Sequence, residues 1–135
     1  MMRVLALDIG DKRIGVALSD PLGILATPLT IIERRDEPAD IGTILEIVDR
    51  NQVGQVIVGL PLSMDGTVGP QAEKVKAFTG ELSHRTEVPV TFRDERLSTV
   101  SAKRLLHEAG RSWKTRDDAA AAALILQGYL DEASS

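Results

Sequence analysis

The chain has 135 residues, 43% of them hydrophobic, which suits one compact domain over 1–135 with a core that needs no staples, and is too short for a multidomain machine. It has no cysteine and two isolated histidines, which excludes disulfides, thiolate catalysis and sulfur-based metal centres and leaves oxygen-ligand chemistry open. A net charge of −4 excludes a histone-like coat for nucleic acid, although residues 85–116 hold eight Lys or Arg against four Asp or Glu and form a local basic stretch.

The first strand is expected over residues 4–9, a nearly continuous apolar run of the kind buried on both faces. Ile14, Val16 and Leu18 alternate with Gly15 and Ala17, so a second strand follows, joined to the first by a hairpin at 10–12. After a loop punctuated by Pro21, Gly23 and Pro28, a third short strand is expected at 29–32. Ile41, Ile44, Leu45 and Val48 then recur at helical spacing. The apolar run 55–60 is a fourth strand, closed by Pro61. A second helix carries Val75, Phe78 and Leu82 after the turn 66–70, with Pro70 suited to its first turn. Residues 88–92 form a fifth strand. Ala102, Leu105, Leu106 and Ala109 predict a third helix ended by Gly110, and Ala122, Ile125, Leu126 and Tyr129 a fourth. The longest apolar run, 119–126, falls far short of the ~20 residues of a membrane span, and no secretory signal pattern opens the chain; a soluble, cytoplasmic protein without membrane attachment is expected. The order β-β-β-α-β-α-β-α-α predicts an α/β fold, a five-stranded mixed sheet that starts as an antiparallel meander, continues with parallel strands and carries helices on its faces. It excludes a Rossmann order, and neither of the usual glycine-rich nucleotide loops is present.

Three acidic positions stand out. Asp8 ends the most buried strand, where a metal ligand and a turn-capping carboxylate are equally good readings. Asp94-Glu95, flanked by Arg93 and Arg96, reads on its own as a solvated salt-bridge cluster at a strand exit. Asp117-Asp118 opens the alanine-rich helix, where an N-cap or dipole partner is the ordinary expectation. Taken together they weigh differently, because two strand ends and the start of a covering helix can converge in a mixed sheet. Three clustered carboxylates suit Mg2+ or Mn2+, and two ions about 3.5–4 Å apart are suited to phosphodiester hydrolysis. Lys12, Arg13, Arg96, Lys114 and Arg116 are candidate phosphate contacts, and Trp113 a candidate for base stacking. The segment 59–67 could present amides to a phosphate or act simply as a restricted turn. His84 and His107 read as surface or capping residues.

Four blocks carry a family resemblance: LALDIGDKRIGVALSD (5–20), VIVGLPLSMDGTVGPQAEKV (56–75), FRDERLST (92–99) and DDAAAAALILQGYLD (117–131). In order and spacing they resemble the bacterial YqgF family, also called RuvX, across nearly the whole chain. The resemblance implies a ribonuclease H-like fold and a metal-dependent nuclease that takes nucleic acid as its partner. It implies maturation of the 5′ end of pre-16S rRNA, with Holliday junction resolution in recombination and repair as the alternative, and either a monomer or a homodimer. Carried over by motif, the acidic triad that would be catalytic and hold the metal lands on Asp8, Glu95 and Asp118, the last chosen over Asp117 by counting back from ILQGYL. Two other classes compete. An actin-like phosphotransferase shares an early D-x-G and hairpin but needs a second domain, and a non-catalytic nucleic-acid adaptor would bind without cleaving.

Overall fold

The structure is a computed structural model, and the residues it describes are 2–97 and 118–133. β1 (Arg3–Ile9) and β2 (Arg13–Ser19) form the expected hairpin, and β3 (Ala26–Glu33) completes an antiparallel meander. α1 (Glu37–Arg50), β4 (Val53–Leu60), α2 (Pro70–His84) and β5 (Val90–Asp94) follow, then a single 3-10 turn (Glu95–Leu97). The last described element is α3 (Asp118–Ala133). The sheet order is β3-β2-β1-β4-β5, with β1 antiparallel to β2 and parallel to β4, which is parallel to β5. The mixed sheet predicted from the element order is therefore present. The helix expected over 102–110 lies outside the described residues.

Three strands differ from the sequence reading by two residues or more at an end. β3 begins at Ala26 rather than residue 29 and runs through Pro28, which pairs with Ala17 next to a register shift between Val16 and Ala17. Because β3 is the sheet edge, a residue that donates no backbone hydrogen bond is tolerated there. β4 starts at Val53, two residues earlier than its apolar run. β5 covers Val90–Asp94 rather than 88–92: the Pro89 carbonyl accepts the Val56 N–H at 2.9 Å, and parallel pairing then carries the strand through Arg93 and Asp94 despite their charge.

Alternation along the strands divides the core in two. Leu5, Leu7, Ile9, Val56 and Val58 pack with Ile41 and Ile44 of α1 and Phe78 and Leu82 of α2. On the other face Ala6, Ala17, Ala26 and Ile57 meet Ala122, Ile125 and Leu126 of α3. The small side chains of both layers let this helix lie close to the sheet, so the alanine run serves packing as well as helix propensity. Asp8, two residues after Ala6, falls on the α3 face.

A buried polar bridge fixes the turn that follows Asp8. Asp40 on α1 is 1% exposed and accepts the Arg35 backbone N–H at 3.0 Å and Arg34 Nε at 3.2 Å. Arg34 Nη1 donates to the Gly10 carbonyl at 3.0 Å, and its guanidinium lies 5.0 Å from the Phe78 ring centroid. One ion pair thus joins the β1–β2 turn to both helices of that face. Replacing Asp40 with Ala strands the Arg34 and Arg35 donors and is expected to cost about 3 kcal/mol of stability, read from urea unfolding. No helix among the described residues is long and apolar enough to cross a membrane.

Candidate active site

The ends of β1, β4 and β5 lie side by side, and β4 separates the other two. One residue beyond the Leu7 to Val58 pair, Asp8 comes level with Gly59, which pairs in turn with Arg93 on β5. Glu95 begins the 3-10 turn just past β5. Across two strand spacings of about 4.8 Å each, the Glu95 side chain reaches back to a hydrogen bond with Asp8. Burial, and after it the charge of Asp8, pushes the Glu95 carboxyl up to about 7. Two acids far apart in sequence therefore form one unit at the end of the central strand.

The acidic cluster expected at 94–95 is split. Arg96 grips Asp94 with a fork, Nη2 to Oδ2 at 2.6 Å and Nε to both oxygens at 3.0 Å, and this hydrogen bonding holds the Asp94 carboxyl below its ordinary range. Asp94 is the structural acid, as the salt-bridge reading anticipated, while Glu95 turns toward Asp8. The same guanidinium donates through Nη1 to the Met64 carbonyl at 3.1 Å, tying the loop 61–69 to the turn that bears Glu95. Within that loop Gly66 has φ of 87°, its N–H donates to the Ser63 carbonyl at 2.8 Å, and Asp65 accepts both the N–H and the hydroxyl of Thr67. The restricted-turn reading of 61–67 fits these contacts, whereas Gly59 and Leu60 belong to β4 rather than to the loop.

Lys12 and Arg13 are exposed at the hairpin turn that follows Asp8. Arg93, which sequence reasoning left as an exposed flank, is 9% exposed and forms a two-point pair with Glu132 of α3 at 2.8 and 3.1 Å. It fastens the end of α3 to β5. No local signal reveals this pairing, because the partners are 39 residues apart. His84 lies in the last turn of α2, exposed, where a cation favours the helix dipole. Asp118 is the first residue of α3, the helix that covers the face on which Asp8 lies. Its side chain, Asp117, Trp113, Lys114, Arg116 and His107 fall outside the described residues.

Among the described residues no group of three His, Cys, Asp or Glu side chains is placed to hold a metal ion. Asp8 and Glu95 are the described residues that could contribute oxygens to one. Both are hard oxygen ligands, and a cation would offset the burial and the facing charge of Asp8 that push the Glu95 carboxyl up.

A five-stranded mixed sheet with an acid at the end of its central strand and a second just past the strand two places away defines a ribonuclease H-like fold of the resolvase type. The structure is similar to that of Thermus thermophilus RuvC in complex with a Holliday junction substrate, with a TM-score of 0.66, 18% sequence identity and coverage of 100% of this chain and 97% of that one. The chain belongs to the RuvX family, described as Holliday junction resolvase, whose sequence model matches residues 2–132. A relative from Dehalococcoides mccartyi, provisionally named a pre-16S rRNA nuclease, is 56% identical over 124 residues, covering 91% of this chain and 93% of the relative. A Moorella thermoacetica protein of the same name is 52% identical over 133 residues, covering 96% and 95%. The family and fold expected from the four sequence blocks are both present.

Proposed function

We propose that this chain is a divalent-metal-dependent nuclease acting in the cytoplasm on the 5′ end of precursor 16S rRNA, with Asp8, Glu95 and Asp118 as its catalytic and metal-holding residues. The observation that carries the proposal is the Glu95 carboxyl laid across β4 onto Asp8, an arrangement with a cost in charge repulsion that a bound cation offsets. The names of the relatives at 52 and 56% identity support precursor rRNA as the substrate. The family description supports the second reading, Holliday junction cleavage.

Asp8, Glu95 and Asp118 would hold Mg2+ or Mn2+, which fits their oxygen donors. When bound, such a cation supplies charge neutralisation at the scissile phosphate and acidifies the attacking water. The chain's own residues do the rest. Asp8 and Glu95 present their oxygens from a rigid strand end and an adjoining turn, so little reorganisation is needed on binding. Lys12 and Arg13 lie where a phosphate backbone passing Asp8 would meet them. Arg96 holds the loop 61–69 in place and adds positive charge next to Glu95. Lys114 and Arg116 would extend the track for the phosphates, and Trp113 would stack an unpaired base.

The test is cleavage of a matched panel in Mg2+ or Mn2+ and in chelator: a precursor 16S rRNA leader, unrelated single-stranded RNA, single-stranded DNA, duplex DNA and a four-way junction. Metal-dependent cleavage led by the rRNA leader supports the proposal. Preference for the junction selects the second reading, and binding without cleavage of any substrate selects an adaptor.

A further inference from the structure

We propose that Gly59 is a positioning residue for Glu95: the missing side chain opens the passage across β4 through which Glu95 reaches Asp8. The inference builds on the reading of Asp8 and Glu95 as the site pair. Positive φ among the described glycines occurs at Gly23 and Gly66 and not at Gly59, so backbone conformation does not call for glycine there. A glycine inside a buried strand also forgoes packing and weakens the strand. The reason is steric. A Cβ at position 59 would sit 2.9 Å from Glu95 Cγ and 3.2 Å from Glu95 Cδ, and 2.5 Å from Ile125 Cδ1 on α3.

The topology explains why this position matters. Asp8 lies in one neighbour of β4 and Glu95 just past the other, so any side chain linking them on the α3 face must cross β4. The preceding β4 residues of that face cannot be crossed so closely. Ile57 is packed beneath α3, and Gln55 accepts the Tyr129 hydroxyl at 3.1 Å. At Gly59, level with Asp8, the row of side chains is interrupted, and Glu95 lies in the interruption. Ile125 Cδ1 bounds the other side.

Gly59→Ala alone would clash with both neighbours and confuse packing with positioning. The experiment therefore uses Ile125→Val, which removes the Cδ1 atom, as background. Melting temperatures are measured in chelator at pH 8.5 for Ile125→Val and Gly59→Ala/Ile125→Val, each with and without Glu95→Gln. In the Ile125→Val background Glu95→Gln should raise the melting temperature by about 5 °C, because it removes a carboxylate charge that is buried and faces Asp8. With alanine at 59 the carboxylate is displaced from Asp8, and the same change should move the transition by less than about 1 °C. Equal shifts in both backgrounds would overturn the proposal. Should Gly59→Ala/Ile125→Val not fold, adding Glu95→Ala restores folding if the new methyl and Glu95 exclude each other; failure to restore it overturns the proposal.

Activity gives an independent readout. Gly59→Ala/Ile125→Val should lose about 10²-fold in kcat with KM for the nucleic acid little changed, since a displacement near 1 Å spoils the reacting geometry and leaves the phosphate contacts intact. A kcat restored along with stability would reduce Gly59 to a packing position. Absence of cleavage by the unmodified protein on every substrate, with the melting cycle as expected, would remove the nuclease reading and leave the placement of Glu95 by Gly59 standing.

Discussion

Asp8→Asn is expected to lower kcat by about 10³-fold or more, with nucleic-acid affinity within about twofold of the parent, because the loss is of a metal-holding charge rather than of a phosphate contact. Asn keeps the shape and can still accept a hydrogen bond, so β1 and its turn should remain as they are. The carboxylate sits where the strand is least able to move, next to Leu7 and Ile9 in the core and beside a turn fastened by Arg34. Rate and affinity are separated by single-turnover cleavage and by filter binding in calcium. Retained cleavage in Asp8→Asn would place the chemistry elsewhere on the molecule. The same variant should melt at a higher temperature than the parent in chelator, since one of two facing charges is gone, and should lose the stabilisation that Mn2+ gives the parent. Opposite signs in chelator and in metal separate a site residue from a merely structural one.

How much of this site was legible in the sequence differs from residue to residue. Asp8 was visible because an acid at the end of an almost unbroken apolar run is anomalous wherever the strand lies. Glu95 was visible as a motif but not as a partner: its chemistry depends on β5 lying two strands from β1, and sheet order is a property of the whole chain. Gly59 was legible as the end of a strand and the start of the segment 59–67 but not as a gap, since nothing local says that a side chain from another element needs its space. Nothing local marks Asp40 as buried, and its burial rests on the pairing with Arg34 from beyond the helix. Arg93 and Arg96 flank the same pair of acids and look alike in sequence, yet one pairs with α3 and the other with Asp94. Pro28 argued for a loop, and only the edge position of β3 makes a strand there acceptable. Hydrophobic period gave the elements and their order; the pairing of charges over long separations required the packed structure.

The pH dependence of stability follows from Glu95. Its carboxyl titrates near 7 in the folded protein against an ordinary value of 4.5, so the folded state binds more protons than the unfolded state between those limits. Stability from this group is fully present below about pH 4.5 and is lost as pH rises through about 7, the reverse of an acid held by a cation. In chelator the melting temperature should therefore fall between pH 5 and pH 8, by about 5 °C once exposure of part of the carboxyl to solvent is taken into account. Glu95→Gln, uncharged throughout, should flatten that slope and cross above the parent near neutral pH. Asp94 moves the other way, since its Arg96 partner favours the charged form and contributes stability that is lost only at acid pH. The two neighbours are thus separable by the pH range in which each acts. Saturating Mn2+ should abolish the decline toward pH 8 in the parent and leave Glu95→Gln nearly unaffected, because cation and proton compete for the same pair of carboxylates. A decline that survives in Glu95→Gln would assign the titration to another group and remove the electrostatic basis for a cation at this site.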